Sequence, residues 1–260
     1  MAAFLFTFLT YIGNQVLKCL AEMGRMAIFL LATLWGIVSP PFRFRQLLTQ
    51  IQFVGTKSLS IIVLTAAFTG MVLGLQGYYT LRKFGSESVL GSLVALSLIR
   101  ELGPVLAALM VTARAGSAMA AEIGAMRISE QIDALEVMAV NPIKYLASPR
   151  LLAAIIAVPL LTGLFDVVGI YGGYLVGVKL LGANPGAYFS SMEYDVVLKD
   201  ISTGVIKALS FGGIVSWVCC YKGFYAGHGA EGVGRATTEA VVLSSVLILV
   251  WDYFITSLMI

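Results

Sequence analysis

Apolar residues fill most of the chain in long blocks, separated by short polar or proline-bearing stretches. Five blocks, at about 58–81, 89–113, 150–181, 200–221 and 236–260, reach the ~20 residues that a bilayer crossing needs. The third is longer than one crossing requires and holds Pro159, which predicts a kink or an interfacial extension. Upstream, Phe4 to Leu34 is also mostly apolar, yet Thr7, Asn14, Lys18, Glu22 and Arg25 fall within one narrow helical stripe. That stripe predicts a helix lying at the membrane interface, with Lys18, Glu22 and Arg25 spaced to pair along it. A tilted spanning helix is the alternative. Ser39-Pro40-Pro41 breaks this segment, because proline cannot continue the hydrogen-bond ladder. The chain therefore divides into an N-terminal interfacial helix and connector, residues 1–49, and a membrane domain, residues 50–260.

The fold class expected is an all-α polytopic membrane protein with that interfacial helix and about five transmembrane helices. If the N-terminus is inside, the inner segments 37–57, 114–150 and 222–235 carry nine Lys and Arg, against four in 82–87 and 179–199. The positive-inside rule then puts the N-terminus in the cytoplasm and the C-terminus outside. Between the second and third spans, Ile128, Ile132, Leu135 and Met138 recur on one helical face, while Glu130, Asp133 and Glu136 lie elsewhere around it. Asn141-Pro142 stops this helix of about 128–138. A short amphipathic helix in a loop suits a groove on a partner protein. A helix resting on its own membrane surface would favour a basic polar face, and this one is acidic.

Composition narrows the function classes. The sequence is 59% hydrophobic and 12% charged, where a soluble domain carries roughly a quarter charged residues. Its net charge of +3, with no Lys/Arg run, leaves no footprint for nucleic acid. Cys19, Cys219 and Cys220 sit in apolar stretches without metal-ligand spacing, and the single histidine, His228, has no partner for a metal site or catalytic triad. No basic n-region precedes a short apolar core, so no cleaved signal is expected. Glycine and alanine recur at four-residue spacing in Gly70 and Gly74, in Gly169, Gly173 and Gly177, and in Gly116, Ala120 and Gly124. This pattern lets helices approach closely in lipid. The Arg-Glu pair at 100–101 has no second copy, so no internal repeat is read.

The blocks GMVLGLQGY (70–78), ALSLIRELGPV (95–105), ARAGSAMAAEIGAMRISEQIDALEVMAVNP (113–142) and RATTEAVV (235–242) resemble the MlaE family of ABC-transporter permeases, over roughly residues 50–260. The resemblance implies a homodimeric, multi-pass permease in the bacterial inner membrane that works with a cytoplasmic ABC ATPase, an MCE-domain hexamer and a STAS-domain protein. It also implies transport of phospholipid between inner and outer membranes, which maintains outer-membrane lipid asymmetry; sterols or other lipids are the alternative cargo. In that setting the 128–138 helix would be the coupling helix, with Ile128, Glu130, Ile132, Asp133, Leu135, Glu136 and Met138 meeting the ATPase. The chain itself has no G-x-x-x-x-G-K-[ST] phosphate loop, so ATP and its Mg would belong to the partner. No catalytic residue, resident cofactor or metal is expected on this chain.

Ionisable residues inside spans are costly and rare. Arg100, Glu101, Asp166, Lys207, Glu239 and Asp252 all fall within the apolar segments, and are expected to form one buried polar network, as structural glue or as part of the transport route. The resemblance points further to a central cavity lined by the first and fifth spans, its apolar wall including Leu73, Leu81 and Phe84. A function of a different class, an ion-coupled secondary carrier relaying protons through these carboxylates, remains the competing reading.

Overall fold

A computed structural model describes residues 2–40 and 44–259, with side chains from Gly13 onward apart from Cys19. The side chains of Thr7 and Cys19, singled out above, lie outside the described residues. All regular elements among those described are helical. Helix α1 covers Ala2–Val38, α2 Phe44–Val54 and α3 Leu59–Arg82. A second crossing is continuous through α4 (Leu90–Ser97), α5 (Gly103–Val111) and α6 (Ser117–Ile128), joined by π-helical turns at Leu98–Leu102 and Thr112–Gly116. The short α7 (Gln131–Val137) precedes a third crossing, which a π turn at Ile143–Ala147 opens and α8 (Ser148–Tyr174) continues. Then come α9 (Pro185–Asp195), α10 (Leu198–Phe224) and α11 (Gly229–Met259).

Helix α8 is the centre of the bundle, packed by α3 on one side and α10 on the other, and α10 in turn holds α6 and α11. Glycine sets the closeness of these crossings. A Cβ on Gly70 would overlap the carbonyl oxygen of Gly169, and one on Gly74 would stand 2.7 Å from that of Gly173. Backbone therefore lies directly on backbone between α3 and α8, which is the geometry that small-residue spacing permits in lipid. Gly212 approaches the Ala154 carbonyl on α10's contact with α8 in the same way.

By length and hydropathy alone, six segments among the described residues could cross a membrane, and α1 is one of them. Its contacts decide how it runs. The Trp217 indole donates to the Met26 carbonyl at 2.9 Å, Phe29 meets the rings of Tyr221, Phe224 and Tyr225, and the Ser148 hydroxyl donates to the Thr33 carbonyl at 2.8 Å. Gly36 abuts Lys144 and Ser148. From Glu22 to Gly36, about 21 Å of helix at 1.5 Å per residue, these partners all belong to one end of α8 and α10. Helix α1 thus lies across that end of the bundle, the one that carries the 129–142 loop, here termed the loop end. Glu22 does not pair along its own helix; its carboxylate meets Lys222 of α10 at 2.9 Å.

Two features depart from the expected pattern. The 128–138 segment is not one helix. Ile128 ends α6, and Glu130 adopts the left-handed conformation (φ 57°) before α7 begins. Residues 179–199, expected as a loop, contain α9, whose start is written in Asn184-Pro185. The Asn184 side chain accepts from the Gly186 and Ala187 amides at 2.8 and 3.2 Å, and proline occupies the first helical turn. Tyr188 pins α9 by donating its hydroxyl to the Ile170 carbonyl at 3.0 Å, and burial pushes its phenol above the ordinary range.

Candidate functional site

The sequence LSLIRELGPV places Pro104 four residues after Arg100. Proline has no N–H to offer, so the Arg100 carbonyl loses its helical partner. The local answer is a π turn, in which Gly103 N–H reaches back to Leu98 O. The remaining carbonyl, that of Arg100, accepts from Lys207 Nζ at 3.0 Å. The same device recurs at the loop end. Pro149 frees the Tyr145 carbonyl, and Gln46 of α2 donates to it at 3.1 Å. A buried backbone acceptor must find a donor, and in both cases a side chain of another helix supplies it.

Lys207, fully buried at 0% exposure, has two further partners: Glu101 Oε2 at 2.5 Å and Asp252 Oδ1 at 2.9 Å. Its ammonium thus donates to one carbonyl and one carboxylate and stands as an ion pair beside the second, Asp252, whose Oδ1 is buried without a hydrogen bond among the described residues. Thr256, one turn beyond Asp252 on α11, donates to Glu101 Oε1 at 3.4 Å. Beside this hub, Arg100 reaches Asp200 Oδ1 with two nitrogens, Nε and Nη2, both at 2.7 Å. Asp200 also caps α10 through its other oxygen, accepting from Val197 N at 3.1 Å. Gly204 makes room for all of this, because a Cβ there would press on the Ile99 carbonyl.

Of the six charged positions expected in one network, Glu101, Lys207 and Asp252 come together, and Arg100 stands beside them with Asp200. Asp200 was not anticipated; an acidic residue in the first turn of α10 was its only sequence signal. Asp166 does not join. Its Oδ1 is buried without a hydrogen-bond partner and packs against the backbone of Gly103. Glu239 lies elsewhere, at the loop end, where it pairs with Lys222 at 3.2 Å and Arg235 at 3.0 Å. The reason is direction along the helix. Glu239 and Asp252 share α11 but sit 13 residues apart, about 20 Å at 1.5 Å per residue.

The apolar positions separate as well. Leu73 and Leu81 are partly buried against the core cluster. Phe84 is not on α3, which ends at Arg82; it is exposed in the following turn, where Gly85 takes a positive φ of 63°. The outward stripe of α3 is instead Leu64, Phe68, Val72, Leu75 and Tyr79. On the loop helix, Ile132 is fully buried and Leu135 partly so, in a cluster with Met26, Phe29 and Leu146. Ile132 is thus spent inside the chain, while Leu135 keeps part of its surface open. Glu130, Asp133, Glu136 and Met138 remain exposed, as does Ile128, and Asp133 is tied to Arg127 at 2.7 Å. Sequence periodicity could not separate these outcomes, since an apolar stripe reads the same whichever partner covers it.

Half of the Arg100 side chain and 42% of that of Glu101 stay exposed, at a level where the surrounding helices are apolar. The arrangement offers no nucleophile beside a base, and no group of three or more His, Cys, Asp or Glu able to hold a metal occurs among the described residues. Its charges hold helices together and open onto one face of the bundle. An all-helical bundle with this kind of polar hub is a polytopic membrane protein of the permease type. The chain belongs to the MlaE permease family, whose model, described as "Permease MlaE", matches residues 47–258. It is 47% identical over 247 residues to a probable ABC transporter permease protein of Rickettsia bellii, covering 95% of each chain. Its identity to the intermembrane phospholipid transport system permease protein MlaE of Haemophilus influenzae is 43% over 253 residues, 97% of each. The Arabidopsis thaliana protein TRIGALACTOSYLDIACYLGLYCEROL 1, chloroplastic, is 36% identical over 221 residues, which cover 85% of this chain and 63% of that protein.

Proposed function

We propose that this chain is the membrane-spanning subunit of an ABC transporter that moves phospholipid between a bacterial inner membrane and a periplasmic MCE-protein pathway, so maintaining outer-membrane lipid asymmetry. What carries the reading is similarity along nearly the whole chain to the Haemophilus protein named for intermembrane phospholipid transport. The chain works as a homodimer, with the loop end in the cytoplasm. ATP and Mg are bound and used by a partner ATPase, which docks on the exposed acidic face of α7, and a STAS-domain protein completes the assembly.

Geometry adds a physical reason for the homodimer. A half-exposed Arg100 and Glu101 cannot face acyl chains without a cost of several kcal/mol, so this face opens on a polar cavity that a second copy encloses. Leu73, Leu81 and Phe84 then contribute from behind or above the cavity, and the α3 stripe from Leu64 to Tyr79 is its apolar wall. The test is lipid transfer between proteoliposomes carrying the assembled complex. Glu101→Lys should abolish ATP-dependent transfer, because a second cation beside Lys207 repels it, whereas Glu101→Gln should retain part of it. Transfer that follows a proton gradient and ignores ATP would overturn the reading in favour of an ion-coupled carrier.

A further inference from the structure

At the loop end, away from the Lys207 hub, a cavity of about 440 Å³ opens between α1, the end of α10 and the start of α11. That volume lies within the roughly 300–1,000 Å³ of small-molecule sites. Its charges fall into two groups. Lys222, Glu22, Glu239 and Arg235 satisfy one another at 2.9 to 3.2 Å and carry no net charge as a set. Glu231 and His228 line the same cavity, are exposed, and have no hydrogen bond or ion pair among the described residues. Arg235 spends only Nε on Glu239 and is 82% exposed, so its terminal nitrogens are free for a second anion. The rings of Tyr221 and Tyr225, centroids 4.9 Å apart, form one wall.

We propose that this cavity binds a zwitterionic headgroup of the phosphoethanolamine class, borne by a lipid of the leaflet at the loop end. The unspent carboxylate of Glu231 takes the primary ammonium, which the exposed ring of Tyr225 favours through its quadrupole. The free fork of Arg235, with His228, takes the phosphodiester. Two carbons separate those charges in such a headgroup, so both partners are reached within one small cavity. A choline headgroup offers no N–H to Glu231, and a glycerol headgroup offers no cation, so the site selects the amine. Its level fits too, since the last turn of α10 and the first turns of α11 lie where a span leaves the hydrocarbon for the headgroup layer. This inference rests on the phospholipid reading and adds a headgroup and a leaflet to it.

The experiment uses the full chain with its partners in nanodiscs of phosphatidylcholine, phosphatidylethanolamine and phosphatidylglycerol in equal parts, with retained lipid read by native mass spectrometry. Wild type should retain phosphatidylethanolamine over the other two. Glu231→Gln should reduce that preference at least about tenfold, the worth of one charge-assisted contact, while the melting temperature changes little, because Glu231 has no ion-pair partner to lose and only its favourable place in the first turn of α11. Arg235→Gln should lower retention of phosphatidylethanolamine and phosphatidylglycerol alike. Equal retention of all three lipids by wild type, or unchanged retention in both variants, overturns the proposal. Displacement by soluble phosphoethanolamine as readily as by the lipid overturns the lipid source. ATP-driven transfer is scored in parallel. Transfer lost with headgroup preference intact strikes the transport reading, and preference lost with transfer intact strikes only this site.

Discussion

Lys207 is the residue on which three helices converge, and removing its charge takes the cation from three acceptors, of which Glu101 keeps only the Thr256 hydroxyl. Lys207→Met keeps much of the volume but strands the Arg100 carbonyl, Glu101 and Asp252, which are held at 3.0, 2.5 and 2.9 Å. Breaking one side of a buried ion pair typically costs about 3–5 kcal/mol. The variant should therefore melt well below wild type in detergent, and a second change, Asp252→Asn, should recover part of the loss by removing one stranded charge. No recovery in the double variant would argue that the pair does not couple. At this scale much was legible in the sequence. Proline four residues after Arg100 announces a freed carbonyl, and an Arg-Glu pair inside an apolar run demands partners. The identity of those partners was not legible, because Asp200, Lys207 and Asp252 lie 100 or more residues away, and only packing decides which face each presents.

Among elements, α7 shows what periodicity can and cannot tell. The repeat Ile128, Ile132, Leu135 and Met138 promises an amphipathic helix, but the left-handed Glu130 cuts it, and Ile132 and Leu135 turn into the cluster formed by α1 and α10. Leu135→Asp would thus put a carboxylate against the chain's own core. It should lower the chain's stability even when no partner is present, by a fraction of what a fully buried unpaired charge costs, since Leu135 is only partly buried. Glu136→Lys changes only the exposed face and should leave the melting temperature unchanged while weakening co-purification of the ATPase. If Leu135→Asp leaves stability intact and Glu136→Lys leaves the complex intact, the division of this helix into an inward and an outward face is mistaken. The transmembrane helices were easier to read. Their apolar blocks and their glycine spacing both survive in the structure, since span length and close approach are local demands of a bilayer. Helix α9 was missed because its apolar positions are few, although Asn184-Pro185 carried its start signal.

For the whole molecule, the uneven burial of the crossings is the strongest physical statement. The most apolar window of α10 is 56% buried, whereas that of α11 is only 11% buried. Yet α11 supplies Asp252 and Thr256 to the hub, so one side of it is bound into the polar centre while Val242, Val246, Leu249 and Tyr253 point away. A helix that borders half-exposed charges cannot have hydrocarbon on every remaining side, because the lipid would then also touch Arg100 and Glu101. The proposed homodimer would resolve this if a second copy, related by a two-fold axis, faced α11 and the α3 stripe across a shared cavity, the closed symmetry that most oligomers adopt. Single cysteines at these four α11 positions, in a background lacking the native cysteines, should therefore form disulfide-linked dimers in native membranes. The efficiency should be highest at whichever of them lies nearest the axis, since only residues near the axis meet their own copies. Leu160 on α8 is 69% exposed and lies on neither α11 nor the α3 stripe, and a cysteine there serves as the reference for random collision in the bilayer. Dimers that form equally at Leu160 and along α11, or at none of these positions, would place the exposed charges outside any interface between copies and remove the physical reason for the enclosed cavity.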